Sequence, residues 1–440
     1  MAKTNVSNRK AKRTHEGAPA RHISVEQQLQ RSILACLLWE RQFYEDGVEI
    51  ASRICELLPQ VSGEKAAALA VDAREKMKLR HMPLFIVREM ARISSHKPYV
   101  ADTLSRVIQR ADELSEFVAM YWKEKRQPLS SQVKKGLAQA FTKFDAYQLA
   151  KYNRGTVVKL RDVLFMVHAK PLNDAQAVMW TDLVDGRLES PDTWEVALSS
   201  GADRKETWER LLAENKLGGL ALLRNLRNMI AVNVDEKLVV EALKSMKTER
   251  ILPFRFIAAA RYAPRWENHL EKAMFSCLED AEKIPGKTLL LVDVSGSMES
   301  QISAKSDMMR IDAACGLAVL ARELCEDAEV FTFSTHLKEV PGRRGFALRD
   351  AIVNSQPHQS TYLGEAVKTL NRSRGYDRIV VLTDEQSQDD VAGPYGKGYM
   401  INVASYKNGV GYGKWNHIDG WSEAVLKYIS ELEQFNRTLE

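Results

Sequence analysis

The chain has 440 residues, of which 45% are hydrophobic and 28% are charged, a composition typical of a soluble globular protein. At about 150 residues per domain, this length favours two or three domains. The sequence has no run of about 18 apolar residues and no apolar segment behind its basic N-terminus, which argues against a membrane span and a secretory signal. Its five cysteines form no C-x-x-C pair, so we expect free thiols, no zinc site and a cytoplasmic location.

Positive charge is concentrated in the first two thirds of the chain. Residues 1–280 carry 45 Lys and Arg against 36 Asp and Glu, whereas the remainder carries 18 against 22. Residues 121–170 alone hold 11 basic and 3 acidic side chains. A local basic surplus is typical of a protein that binds a polyanion, although a solvated helix face accounts for the charge alone equally well.

Most of the chain shows a helical pattern. Residues 1–23 are polar and basic, which predicts a disordered arm that either contacts phosphates or is a plain tail. Over residues 24–283, apolar side chains recur at helical spacing, with about a dozen helices and no convincing strand. This favours an irregular HEAT-like helical array over a compact bundle. A fixed repeat length is missing, so a regular TPR or ankyrin array is excluded.

The pattern changes at Pro285–Gly286. The apolar run Lys287–Asp293 predicts a strand that is buried on both faces. Further elements follow in alternation: a helix at Lys305–Cys325, a strand at Glu329–Phe333, a helix at Leu363–Leu370, strands at Arg378–Thr383 and Tyr399–Ala404, and a helix at Gly420–Leu432. Such alternation predicts βαβ units and a doubly wound α/β domain over residues 284–440.

Oxygen-bearing side chains follow the predicted strands at their carboxyl ends, where doubly wound sheets bind ligands. Asp293, Ser295 and Ser297 form a D-x-S-x-S turn after the first strand. Asp384 ends the third strand, and Thr361 precedes a helix. Five hard oxygen ligands suit Mg²⁺. We identify no His or Glu in these loops as an obvious base, so the sequence predicts binding rather than hydrolysis.

The segment Leu290–Met298 (LVDVSGSM) resembles the metal-ion-dependent adhesion motif of von Willebrand A domains. The resemblance implies direct metal ligation by Ser295, Ser297 and Thr361. It also implies that the two aspartates act largely through water. The expected fold class is therefore a HEAT-like helical region followed by a doubly wound von Willebrand A-type domain.

The helical region carries distinctive stretches. These are Phe43–Gly47, Phe144–Gly155, Lys159–Pro171, Leu217–Met229 and Ile251–Phe256. Together with the terminal A-type domain, they resemble the Ro autoantigen family, whose helical part is the TROVE module, over almost the whole chain. The resemblance implies a monomeric ring of HEAT-like helical hairpins that the A-type domain closes.

The same resemblance implies a set of RNA contacts. Ro-family members bind small noncoding Y RNAs on the outer surface and single-stranded 3′ ends of misfolded RNA in the central hole. Bacterial members associate with exoribonucleases through a tethering RNA. Cations in the basic window can neutralise phosphates and planar rings can stack on bases, although Tyr152 and His168 also suit a helical core. The resemblance implies contacts by Lys151, Arg161, His168 and Lys170, and the basic window adds Tyr152, Arg154 and Lys159 to the predicted RNA-binding residues.

Three classes of function compete. The first is a Ro-type RNA-binding protein that acts in RNA quality control or as a scaffold for a nuclease. The second is a metal-dependent adaptor whose metal ion captures an acidic side chain of a partner protein, a role that needs no basic surplus at residues 121–170. The third, an enzyme, is disfavoured because we identify no nucleophile–base constellation and no phosphate-cradling loop. The glycine-rich segments Gly393–Gly398 and Gly409–Gly413 are predicted to be surface loops.

Overall fold

The computed structural model describes most of the chain. The described residues are 24–34, 47–76, 79–153, 157–189, 191–199, 201–248, 251, 254–279, 282–302, 308–373, 375–404, 409–410, 413–419, 426, 429 and 433. The predicted arm at 1–23, Arg154 and most of the predicted helix Gly420–Leu432 lie outside them. The chain divides into two compact units, residues 51–242 and residues 1–50 with 243–440. The predicted domain boundaries at 23/24 and 283/284 stay predictions.

Every regular element described before Ile284 is a helix. The α-helices are α1 Val25–Leu34, α2 Gly47–Leu57, α3 Gly63–Glu75, α4 His81–Met90, α5 Lys97–Val107, α6 Asp112–Tyr121, α7 Ser131–Phe141, α8 Ala146–Tyr152, α9 Leu160–Val167, α10 Asp174–Asp185, α11 Trp194–Ser199, α12 Arg204–Ala213, α13 Gly219–Ala231, α14 Glu236–Ser245, α15 Phe254–Tyr262 and α16 Glu267–Ser276. None of the described helices has the length and apolar character needed to cross a membrane. The helical prediction is confirmed for this part of the chain.

Helix boundaries in the basic segment follow from local sequence. Helix α7 begins after Ser130, whose hydroxyl accepts a hydrogen bond from the Val133 N–H. Helix α8 begins after Asp145, which forms a capping box with Gln148. Both devices satisfy backbone N–H groups that a helix leaves without an intrahelical partner. Helices α5 and α7 pack closely at Gly136, where a Cβ atom would lie 2.7 Å from the carbonyl oxygen of Ala101.

The other unit contains a six-stranded sheet with the order β3-β2-β1-β4-β5-β6. Strand β3 pairs antiparallel with β2, and the remaining neighbours are parallel. The strands are β1 Ile284–Asp293, β2 Cys325–Phe333, β3 Leu337–Glu339, β4 Arg378–Thr383, β5 Lys397–Asn402 and β6 Trp415–Asp419, and the helices are α17 Arg310–Leu324, α18 Gly345–Val353 and α19 Leu363–Ser373. The expected class, a helical region followed by a doubly wound α/β fold, is confirmed.

Strand β1 lies at the centre of the sheet and is covered on both faces. Its residues from Leu289 to Val292 are fully buried, although side chains along a strand point alternately to opposite faces. Leu289 and Leu291 share an apolar cluster with Leu363 and Val367 of α19. Helix α17 also packs against β1. The prediction of a strand that is buried on both faces is confirmed, and this strand is central in the sheet.

Several predicted bounds differ from those observed. Strand β4 has the predicted limits, whereas β2 begins at Cys325 instead of Glu329. The loop prediction for Gly393–Gly398 is wrong at its end, because Lys397 and Gly398 pair with β4 in strand β5. The elements that sequence patterns missed are α18, β3 and β6. Strands β3 and β6 form the two edges of the sheet, where pairing with a neighbour matters more than an apolar pattern.

Candidate functional site

The first candidate site lies where β1 and β4 end side by side. Val292 is in register with Leu382, so the residues that follow them meet at the edge of the sheet. There the Thr383 hydroxyl donates a hydrogen bond to Oδ2 of Asp293 over 2.6 Å. The chain leaves β1 towards β2 on one side and reaches β4 on the other side of β1. This is the topological switch point, where doubly wound sheets bind ligands.

The D-x-S-x-S turn folds back on its own aspartate. The N–H of Ser295 donates to Oδ1 of Asp293 over 2.8 Å. The hydroxyl oxygens of Ser295 and Ser297 lie 3.3 Å apart. The N–H of Gly296 donates to the carbonyl of Gln359 over 3.0 Å, which ties this turn to the loop of Thr361. Three hard oxygen donors are thus held in one tight turn.

The loop of Thr361 is joined in turn to the loop that follows β4. The N–H of Gln388 donates to the Thr361 carbonyl over 2.9 Å. Asp293, Ser295, Thr361 and Asp384 are buried, and Ser297 is half-exposed. The structure therefore brings the loops of all five predicted ligands to one end of the sheet. Their role in binding a metal ion stays a prediction.

The electrostatics of this cluster are dominated by buried carboxylates. Burial, and then the neighbouring charge of Asp384, raise the pKa of Asp293 to about 7. Arg310 opens helix α17 and is 1% exposed. Its Nη1 atom lies 3.3 Å from Oδ2 of Asp384. Sequence analysis missed Arg310, because 74 residues separate it from Asp384.

A third carboxylate, which sequence analysis also missed, follows directly after Asp384. Glu385 is fully buried and has a φ of 59°, a left-handed conformation that is uncommon for a bulky residue and often occurs at functional sites. Its Oε1 atom lies 2.8 Å from Nδ1 of His417. Sequence patterns identify no Glu in these loops as an obvious base and do not single out Glu385. The side chain of Glu385 is paired with His417, which lies on the unpredicted strand β6.

The donor set suits a hard divalent cation. Asp293, Asp384 and Glu385 are buried carboxylates, and Arg310 pairs with Asp384 as His417 does with Glu385. The charge of Asp384 raises the pKa of the buried Asp293, because neighbouring carboxylates repel each other, and a divalent cation beside them would offset that repulsion. Among the described residues, no three His, Cys, Asp or Glu side chains form a metal site by themselves. The serine and threonine hydroxyls would have to complete the coordination, as Mg²⁺ allows with water ligands.

The second candidate site is the basic surface formed by helices α8 and α9 in the other unit. Helix α9 is amphipathic, with Leu160, Val163, Leu164 and Val167 buried. This apolar face packs against α6 and α7. The opposite face therefore points to solvent. The exposed residues of the predicted RNA-binding set are Lys159, Arg161, His168 and Lys170.

His168 is a surface residue. It follows the last residue of α9 with a φ of 51°, a left-handed conformation that ends the helix. Its side chain is exposed, so the alternative that it is a core histidine is wrong. A side chain at this position is directed away from the buried face of α9 and is accessible to a ligand.

Lys151 and Tyr152 are less accessible than expected. Both are half-buried at the end of α8. The guanidinium of Arg110 lies 4.7 Å from the centre of the Tyr152 ring, and Nζ of Lys151 lies 5.9 Å from it. Burial raises the pKa of Tyr152. Arg110 and Lys151 thus lie close to the Tyr152 ring, so less of the ring face is accessible to an RNA base.

Comparisons with known proteins place these features in context. A family model described as the TROVE domain matches residues 185–316, a segment that contains Asp293 and Ser295 but neither α9 nor Asp384. Telomerase protein component 1 from Rattus norvegicus is 22% identical over 330 residues, and the same protein from Mus musculus is 21% identical. Each match covers 54% of this chain and 12% of the relative, so the chain spans only a small part of those proteins.

A solved structure extends over nearly the whole chain. The crystal structure of Deinococcus radiodurans Ro (RSR) protein matches with a TM-score of 0.63 and 18% identity. The match covers 93% of this chain and 100% of that protein. At this identity the likeness shows the fold. Together with the TROVE match, it supports the resemblance to the Ro family that the motifs indicate.

Proposed function

We propose that this protein is a Ro-type RNA-binding protein that binds RNA without cutting it. Its ligands would be a small noncoding, Y-like RNA on the basic surface of α8 and α9, and misfolded RNA with a single-stranded 3′ end. It would act in RNA quality control or as a scaffold for an exoribonuclease. The observation that carries the proposal is the exposure of Lys159, Arg161, His168 and Lys170 on and beside one helix.

The charges on this surface are available to phosphates. Asp162 is the only acidic residue between Lys159 and Lys170. Its Oδ1 atom lies 3.9 Å from Nε of Arg161, and the two side chains are 45% and 49% exposed. An exposed ion pair of this kind contributes about 0–1 kcal/mol. An RNA phosphate can therefore compete for the guanidinium at little cost.

The test is a filter-binding titration over several salt concentrations. Its probe is a hairpin RNA with a single-stranded 3′ tail, and its variant is Lys151→Ala/Arg161→Ala/His168→Ala. If six cations contact single-stranded phosphates, log K falls against log salt with a slope of about −4, at about 0.7 per contact. Loss of two full charges should make the slope shallower by about 1.4.

The matched control removes two exposed lysines from the same unit. Lys76→Ala/Lys205→Ala changes side chains that are 60% and 51% exposed and lie outside α8 and α9. We expect this control to bind like wild type. Equal binding of hairpin and random duplex RNA by wild type, with no change in the triple variant, would contradict the proposal.

We also propose that Asp293, Ser295, Ser297, Thr361 and Asp384 hold one divalent ion, most suitably Mg²⁺, as in a von Willebrand A-type domain. The neighbouring buried carboxylates of Asp293 and Asp384 and the gathered hydroxyls support this assignment. Calorimetric titration with MgCl₂ should show one site in wild type. Ser295→Ala/Ser297→Ala should weaken magnesium binding strongly. The absence of any binding heat in wild type would contradict the proposed metal site.

The exposure of Ser297 favours a second function for this metal site. Ser297 is half-exposed, whereas the other four predicted ligands are buried. Solvent, or a carboxylate of a partner protein, can thus approach the site from the side of Ser297. We propose metal-dependent protein adaptor activity as the alternative to RNA binding. Binding of an acidic partner that EDTA abolishes, in a protein with no affinity for the hairpin RNA, would favour it.

A further inference from the structure

One aromatic side chain on the basic surface faces solvent. Phe165 is 58% exposed, although the other large apolar residues of α9, apart from half-buried Met166, are buried. Residues three or four positions apart lie on the same side of a helix. Arg161 precedes Phe165 by four positions, and His168 follows it by three. Phe165 therefore shares the exposed side of α9 with Arg161, and exposed His168 follows directly at the end of the helix.

The packing of α9 gives no reason for an aromatic residue at this position. Leu160, Val163, Leu164 and Val167 already complete its buried face. Phenylalanine is also a poorer helix former than Ala, Leu or Arg. Single exposed apolar residues are common on protein surfaces. The position of Phe165 is distinctive because Arg161 and His168 flank it on the face of α9 that reaches solvent.

Phe165 also offers what Tyr152 lacks. The ring of Tyr152 is half-buried, with Arg110 lying over it. An aromatic ring stabilises a nucleic-acid base by stacking only if its face is accessible, and the neighbouring cations then hold the phosphates. Among the described residues of α8 and α9, Phe165 and Tyr147 are the large exposed aromatic side chains, and Tyr147 is 5.9 Å from Nζ of Lys151. Phe165 is the one that lies between two predicted RNA contacts.

We propose that Phe165 stacks on an unpaired base of the bound RNA and that Arg161 and His168 contact the adjoining sugar-phosphate backbone. This inference rests on the proposed function and adds a stacking residue that the motif-based set does not contain. The ligand class is RNA with at least one unpaired base at this surface. Because every base has an aromatic face, the contact selects unpaired over paired nucleotides and depends little on sequence.

The experiment compares two probes, a hairpin RNA with a single-stranded tail and the same hairpin with abasic nucleotides throughout its loop and tail. Phe165→Ala should weaken binding of the first probe by about 5- to 150-fold, the equivalent of about 1–3 kcal/mol per stacked base. The slope against salt should stay that of wild type, because no phosphate contact is lost. Phe165→Trp should bind at least as tightly as wild type.

The abasic probe separates stacking from other effects. Wild type and Phe165→Ala should bind it equally, since it offers no base to the ring. The control Val178→Ala removes another exposed apolar side chain of the same unit, which is 62% exposed, and should leave both affinities unchanged. Thermal unfolding of each variant shows whether the fold is retained. We expect both variants to melt like wild type, because both positions are exposed.

The outcomes distinguish this inference from the proposed function. If wild type binds no RNA, both are overturned. If the triple variant loses affinity while Phe165→Ala binds the tailed hairpin like wild type, only the stacking role is overturned, and the exposed ring is left for a protein partner. Equal losses on the tailed and abasic probes would also overturn stacking, because the lost contact would not be to a base.

Discussion

The buried pair of Arg310 and Asp384 allows a quantitative prediction about the metal site. Arg310→Met removes the cation and keeps a long side chain in its place. Two unit charges 3.3 Å apart attract each other by about 5 kcal/mol at an effective dielectric constant of about 20. Removal of one partner from a buried pair typically costs about 3–5 kcal/mol. At about 2–4 °C per kcal/mol, we expect the melting temperature in EDTA to fall by about 6–20 °C.

Magnesium should then restore stability more strongly in the variant than in wild type. Loss of Arg310 leaves the carboxylates of Asp293 and Asp384 with one positive charge fewer, so a divalent ion gains affinity for the site. A ligand that binds only the folded state stabilises it by an amount that grows with its affinity. The rise in melting temperature from EDTA to MgCl₂ should therefore be larger for Arg310→Met than for wild type.

The assay is thermal unfolding followed by circular dichroism, in EDTA and in MgCl₂. Arg322→Met on the same helix is the control, because its side chain is 30% exposed and lies beside Glu323. It should melt close to wild type in both buffers. If Arg310→Met has the same melting temperature as wild type in EDTA, the buried ion pair does not stabilise the fold as we argue. An equal effect of magnesium on wild type and variant would refute the competition between Arg310 and the ion.

Two further predictions concern the same end of the sheet. Gly364→Ala should destabilise the protein by about 1–3 kcal/mol in urea unfolding, because its Cβ atom would lie 2.2 Å from the Asp390 carbonyl oxygen. The control Gly375→Ala should leave stability unchanged, because no atom lies within 4 Å of the Cβ atom that it adds. Folding raises the pKa of Asp293 from 3.8 to about 7. Between about pH 4 and pH 7 the folded state therefore holds more protons than the unfolded state. In EDTA, the free energy of unfolding should fall as the pH rises through this range. Asp293→Asn should remove this part of the pH dependence, and an identical pH profile for both proteins would contradict the assignment.

Local pattern alone determined several features of this protein. The apolar run before Asp293 predicts a strand buried on both faces, and β4 has its predicted limits of Arg378–Thr383. These predictions succeed because burial on both faces of a strand requires apolar residues at consecutive positions. The carboxyl ends of neighbouring parallel strands meet at one edge, so the order of the elements also places Asp293 near Asp384.

Only the tertiary structure decided which charges and rings face each other. Arg310 reaches Asp384 across 74 residues, and His417 reaches Glu385 from a strand whose pattern does not identify it. Arg110 covers the ring of Tyr152. Such pairings depend on how separate elements pack, and periodicity along the chain carries no information about them.

Helix α9 also shows which features follow from the sequence and which depend on tertiary packing. Leu160, Val163 and Val167 recur at helical spacing and form the buried face of α9. Apolar character alone does not show that Phe165 faces solvent, because a phenylalanine in a helical pattern most often packs in a core. The packing of α6 and α7 on one side of α9 leaves its other side to water. That packing makes Phe165 accessible to a ligand.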